Sequence, residues 1–179
     1  LLAGDTLLTE AFNVASKTIG IDSQRVVRAI TVLASSAGVF GMIGGQVIDL
    51  IGEKDGLTDD MRLEMYRLKT GALIKAASQI GCILAGGNEN QEVAAIKYGE
   101  NLGIAFQLID DILDAEGDEK LLGKPVGSDA KNSKKTFITY MGLEGAKEFA
   151  VKISREAAEI VKPLGKEGEV LSWFALHLT

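Results

Sequence analysis

Between Gly103 and Asp114, one amide, Gln107, and three carboxylates, Asp110, Asp111 and Asp114, sit among apolar neighbours. At 100° per residue, Gln107, Asp110 and Asp114 fall within about 60° of one another on a helix, with Asp111 on the flank. Acids on the apolar stripe of a helix are costly to bury unless something neutralises them. Bases from neighbouring helices would do so, and so would a hard cation. Mg2+ takes one or two carboxylates and completes its octahedron with waters and phosphate oxygens, so this spacing suits a Mg2+–diphosphate bridge. A solvated acidic face is the competing reading of such a string. Phe106, Leu108, Ile109, Ile112 and Leu113 argue against a wholly wet helix.

Three further groupings carry polar chemistry. Gln46 and Asp49 are i, i+3 neighbours near the end of an uncharged stretch and can reach one cavity; an amide facing a carbonyl at a helix end is the plainer reading. Lys69-Thr70-Gly71 sets an ammonium and a hydroxyl beside a residue without a side chain, which suits a phosphoryl oxygen, although a Lys-Thr pair alone is a weak signal. Lys124 and the Lys134-Lys135-Thr136 run follow the acids at spacings over which a loop can fold back. Glycine-lysine loops are commonly solvated surface. Acids for metal together with lysines for phosphate would nevertheless make a charge-balanced pyrophosphate site.

The elements that must position these groups read as helices throughout. Helical periodicity dominates and no alternating strand pattern stands out. The expected helices run from Asp5 to Thr18, from an Asp22 or Ser23 cap to about Leu50, from a Thr58 cap to about Leu84, and from Asn90 to Ala115. An irregular segment follows from Gly117 to Ser133. Helix returns at Lys135, breaks near Gly142, resumes from Gly145 to Val161, and ends at Pro163 and Gly165 before a short terminal helix from Glu167 to Leu178. The fold class expected is an all-α bundle of long, mostly antiparallel helices with short connections, one domain over residues 1–179.

The 179 residues suffice for one domain with a real core, and two prolines leave room for long helices. A net charge of −6 argues against broad nucleic-acid binding. The single cysteine, Cys82, cannot form an internal disulfide and reads as a small core residue; a reducing cytoplasmic setting fits it. No Cys/His cluster offers a zinc site, and one histidine, His177, gives a Ser-His-Asp mechanism little support. Ala29 to Ile48 is twenty residues without a charge, long enough to span a bilayer. Its four glycines and its tight bracketing by Arg28 and Asp49 favour a buried helix of a soluble bundle, the glycines serving close approach of another helix or a ligand. The chain opens at Leu1 inside an apolar pattern, from which an N-terminal portion is expected upstream.

In order along the chain, Leu2-Ala3-Gly4-Asp5-Thr6-Leu7-Leu8, Gly44-Gly45-Gln46 with Asp49, Lys69-Thr70-Gly71-Ala72-Leu73, Gly103 to Asp114, and Leu122-Gly123-Lys124 resemble the C-terminal portion of a trans-isoprenyl diphosphate synthase of the farnesyl or geranylgeranyl type. The resemblance covers nearly every residue. It implies an isoprenoid-synthase-like bundle around a central cavity, and a homodimer. Asp110, Asp111 and Asp114 would be the second aspartate-rich motif, with Asp110 the most direct Mg2+ ligand and Asp111 and Asp114 holding ligands or metal-bound waters. Lys69, Thr70, Gln107 and Lys124 would contact the allylic diphosphate or its metals, and Lys134 would approach it from the loop. Phe106 would lie against the isopentenyl unit, and Gln46 and Asp49 would line the cavity wall.

The activity implied is electrophilic chain elongation. The allylic diphosphate ionises as its developing charge is met by lysines and a divalent cation, and the double bond of isopentenyl diphosphate attacks the allylic cation. Loss of a proton then completes the step, with departing pyrophosphate as the base, while apolar helix faces exclude water. The first aspartate-rich motif and the basic contacts to isopentenyl diphosphate are expected before Leu1. That motif also carries the determinants of product length, so C15 and C20 products are not separated. A catalytically silent binding subunit is the competing reading, distinguished by whether a second D-D-x-x-D run lies upstream.

Overall fold

A computed structural model describes residues 1–116 and 136–179. All regular structure among the described residues is helical: α1 (Leu2–Ser16), α2 (Ser23–Ala37), α3 (Met42–Asp55), α4 (Asp59–Tyr66), a π-helical turn (Arg67–Gly71), α5 (Ala72–Ala85), α6 (Glu89–Glu116), α7 (Phe137–Val161), a 3-10 turn (Lys162–Leu164) and α8 (Lys166–Leu176). The chain divides into two compact units, Leu1–Glu100 and Asn101–Thr179.

In the first unit, α2 begins where Asp22 accepts the backbone N–H groups of Gln24 and Arg25 at 3.0 and 3.2 Å, satisfying donors that the first helical turn leaves unpaired. One face of α2 buries Val26, Ala29 and Ala37; α5, its principal partner, buries Ala72, Ala76 and Ile83. Small residues on both sides let the two backbones approach closely. Arg28 of α2 places one guanidinium nitrogen 3.0 and 2.8 Å from the two Glu92 oxygens, and Gln79 of α5 donates to the same carboxylate at 3.0 Å. These bonds tie α2, α5 and the start of α6 together. The Gln79 amide and then the Arg28 guanidinium hold Glu92 below the usual carboxylate range.

The expected single helix from Asp22 to Leu50 is interrupted. It stops at Ala37, and a new helix starts at Met42. At Gly41 an added Cβ would stand 2.7 Å from the Ser36 Cα, so the break between the two helices can pass this close to Ser36 only without a side chain. Full burial of this stretch is not found either. Only 22% of the apolar window within Ser23–Gly52 is buried, and Val39, Phe40, Ile43 and Val47 are exposed. Among the described residues α2 and α3 are covered on one side, by α1, α4, α5 and the π turn, which accounts for the difference.

The third expected helix is present from Asp59 to Ala85, capped as anticipated where Thr58 Oγ1 accepts the Met61 N–H at 3.3 Å. The π turn inside it was not anticipated. Gly86, with φ of 81°, closes α5, and Asn88 and Gln91 exchange backbone-to-side-chain hydrogen bonds of 2.9 and 3.0 Å to open α6. Cys82 is half-buried with its thiol against Gly87, and burial, with Glu92 adding to it, pushes its pKa up against the opposing Arg28 charge.

In the second unit, Leu108 of α6 packs with Ala146 and Ala150 of α7, flanked by Ile104, Ile109, Ile112, Phe137, Ile138 and Phe149. Burying a leucine side chain of this kind contributes roughly 1.5–3 kcal/mol. The break expected near Gly142 is a kink within α7, where Gly142 takes φ of 71°. The segment from α7 into α8 turns at Pro163 and Gly165 as expected, and α8 packs on α7.

Candidate diphosphate and metal-binding groups

The acid run lies in the last turns of α6, in the second unit. Asp111 is 3% exposed and Asp114 7%, while Asp110 is half-buried. Asp111 is a load-sharing group between two helices. Its Oδ1 accepts the Gln107 amide at 2.9 Å, one helical turn earlier, and its Oδ2 accepts the backbone N–H of Phe137 at 3.1 Å. Phe137 opens α7, so the carboxylate satisfies one of the N–H groups a helix start leaves unpaired, at the end where the helix field favours negative charge. The sequence placed Asp111 on the flank of the acidic face; its packing shows that the flank is the side turned toward α7. Phe106 stands exposed beside the run.

In the first unit, α3 brings Gly45 and Asp49 against the π turn. Asp49 is buried, and its Oδ2 lies 2.6 Å from Lys69 Nζ. An added Cβ at Gly45 would stand 2.6 Å from Lys69 Cα and 2.8 Å from its Cβ, closer than side chains pack. The sequence anticipated close approach at the glycines, and at Gly45 the approaching element is the Lys69 backbone itself. Thr70 is half-buried on the same turn, and Gln46 is exposed on α3. π-helical turns are rare and concentrate at functional positions.

Each unit therefore gathers part of the predicted set. Asp49 and Lys69 meet in the first; Gln107 and Asp111 meet in the second. Lys124 and Lys134 lie outside the described residues. Among the described residues no group of three or more acidic, His or Cys side chains converges as a metal cage. The donor chemistry nonetheless fits Mg2+, which binds through one or two carboxylates and keeps its other positions for water and phosphate. Asp110 and Asp114, one helical turn apart, are the pair of that kind. Sequence reasoning missed two groups: the Phe137 backbone N–H and Gly45 as the surface beneath Lys69. For Gly45 a signal was available, since it precedes Asp49 by one helical turn on the same face.

The fold of the described residues is all-helical, as in solved isoprenyl diphosphate synthases. A solved geranylgeranyl pyrophosphate synthetase from Pyrococcus horikoshii Ot3 matches with a TM-score of 0.86 at 30% identity, over 99% of this chain and 65% of that one. The chain belongs to the polyprenyl synthetase family, whose model matches residues 1–168. It is 38% identical over 170 residues to the farnesyl diphosphate synthase of Escherichia coli (strain K12), covering 93% of this chain and 57% of that protein. A geranyltransferase from Helicobacter pylori, solved in complex with magnesium and isoprenyl diphosphate, matches with a TM-score of 0.81 at 29% identity, over 99% of this chain and 58% of that one. The chain spans about half the length of the curated relatives it matches.

Proposed function

We propose that the protein condenses an allylic diphosphate with isopentenyl diphosphate, giving a longer trans-isoprenyl diphosphate of the C15 or C20 class and pyrophosphate. The observation that carries this reading is the unbroken family match over residues 1–168, which contains the buried carboxylates of α6 and the Asp49–Lys69 pair. The same match runs through both compact units, which supports reading them as parts of one domain.

Asp110 and Asp114 would hold Mg2+, with Asp111 contributing where its α7 contact allows; the magnesium in the Helicobacter pylori relative supports that choice of ion. When bound, the ion supplies positive charge to the leaving diphosphate. Lys69, Thr70 and Gln107 would contact the diphosphate, as would Lys124 and Lys134, Phe106 would lie against the isopentenyl unit, and Gln46 would line the wall. The chemistry asks of these residues that they fix the diphosphate and bring positive charge to the oxygen that departs.

A cytoplasmic homodimer without a membrane span is part of the proposal. The exposed Val39, Phe40, Ile43 and Val47 supply apolar surface for a subunit contact. Incubation of the full-length protein with dimethylallyl diphosphate, isopentenyl diphosphate and Mg2+ tests the reading. A longer prenyl diphosphate is expected. Absence of any elongated product, with both substrates recovered intact, overturns it.

A further inference from the structure

We infer that Gly45 and Asp49 of α3 are positioning residues that clamp Lys69 from two sides, one by its backbone and one by its ammonium, so that the lysine meets a diphosphate already oriented. The inference rests on the reading of Lys69 as a diphosphate ligand. Gly45 and Asp49 are one helical turn apart, so they share a face of α3. That face abuts the π turn. At Gly45 there is no room even for a methyl group between α3 and the Lys69 main chain. At Asp49 the carboxylate, whose side chain is 10% exposed, takes the Lys69 ammonium at 2.6 Å.

Lysine is a flexible ligand whose stem loses much rotamer freedom when it is fixed on an anion. A lysine fixed beforehand loses less on binding. The ammonium has three protons, and a bond to Asp49 leaves donors that can turn toward a phosphoryl oxygen. The π turn sets the direction of the stem, and Gly45 sets the position of the π turn. Asp49 is thereby assigned to the lysine.

Calorimetric titration of inorganic pyrophosphate with Mg2+ into the full-length protein tests this in a double-mutant cycle. Gly45→Ala keeps every charge and displaces only the Lys69 backbone; it is expected to weaken binding about tenfold or more, since small misplacements of a binding group are costly. Asp49→Asn keeps shape and removes charge; it is expected to weaken binding about tenfold, with Asp49→Glu restoring much of the affinity. Neither Gly45→Ala nor Asp49→Asn should weaken binding further once Lys69→Ala is present. Thermal unfolding of each variant confirms that folded protein is being titrated, and if Gly45→Ala does not fold, the Asp49 arm decides alone. Asp49→Asn binding as tightly as the parent, or equal losses with and without Lys69, overturns the clamp. Lys69→Ala binding as tightly as the parent instead overturns the diphosphate role of Lys69 on which the clamp depends.

Discussion

The Asp111 carboxylate accepts the backbone N–H of Phe137 at 3.1 Å across 26 residues of sequence, and so joins the acid run of α6 to the first residue of α7. A buried carboxylate with both oxygens engaged is an ordering device as well as a charge. It limits how α6 can rotate, and therefore where Asp110 and Asp114 point.

Asp111→Ala is expected to lower stability by about 1–3 kcal/mol, because the half-buried Phe137 N–H and Gln107 amide both lose the Asp111 carboxylate as a partner. Denaturant unfolding checks the magnitude, and hydrogen exchange at the Phe137 amide should accelerate. An unchanged midpoint would remove the structural role assigned to Asp111.

Asp110→Ala is expected to cost about 100-fold or more in kcat, as loss of a group that stabilises developing charge commonly does. Asp49→Ala should cost much less, because it acts through Lys69. Steady-state rates of the two variants with dimethylallyl and isopentenyl diphosphates decide the order. Equal rates would contradict the role of Asp110.

Acid should weaken the junction of α2, α5 and α6. The folded-state pKa of Glu92 lies below its unfolded value near 4.5, so its contribution is complete above that pH and is lost as pH falls through the lower folded value. Glu92→Gln should therefore reduce stability at neutral pH and flatten its acid dependence below about pH 4.5. Urea midpoints measured from pH 7 to pH 3 read this directly; parallel curves for parent and variant would contradict it.

Gly142 has open space around an added Cβ, so Gly142→Ala isolates backbone strain from packing. With φ at 71°, the substitution is expected to cost about 1–2 kcal/mol. A thermal midpoint at or above that of the parent would show that the kink relaxes without cost.

Much of this was legible in the sequence where the cause is local. The 3.6-residue period gave the helix that bears Asp110, Asp111 and Asp114; Asp22 and Thr58 announced the starts of α2 and α4; Gly86 and Gly142 marked a stop and a kink. The break at Gly38–Gly41 was not legible, because glycines in an apolar run look the same whether they admit a neighbouring helix or interrupt their own. The π turn has no composition signal of its own. Asp49–Lys69 and Asp111–Phe137 were hidden for another reason. They join residues 20 and 26 positions apart, and only the folding of α3 onto the π turn and of α7 onto α6 brings them into contact. Lys124 and Lys134 fall outside the described residues, so their places stay part of the proposal.

The most direct test of the central claim is paramagnetic titration of Mn2+, standing in for Mg2+, into the full-length protein with and without inorganic pyrophosphate. The account predicts Mn2+ uptake that strengthens when pyrophosphate is present and is lost in Asp110→Ala. Uptake that ignores pyrophosphate, or that persists unchanged in Asp110→Ala, would contradict it.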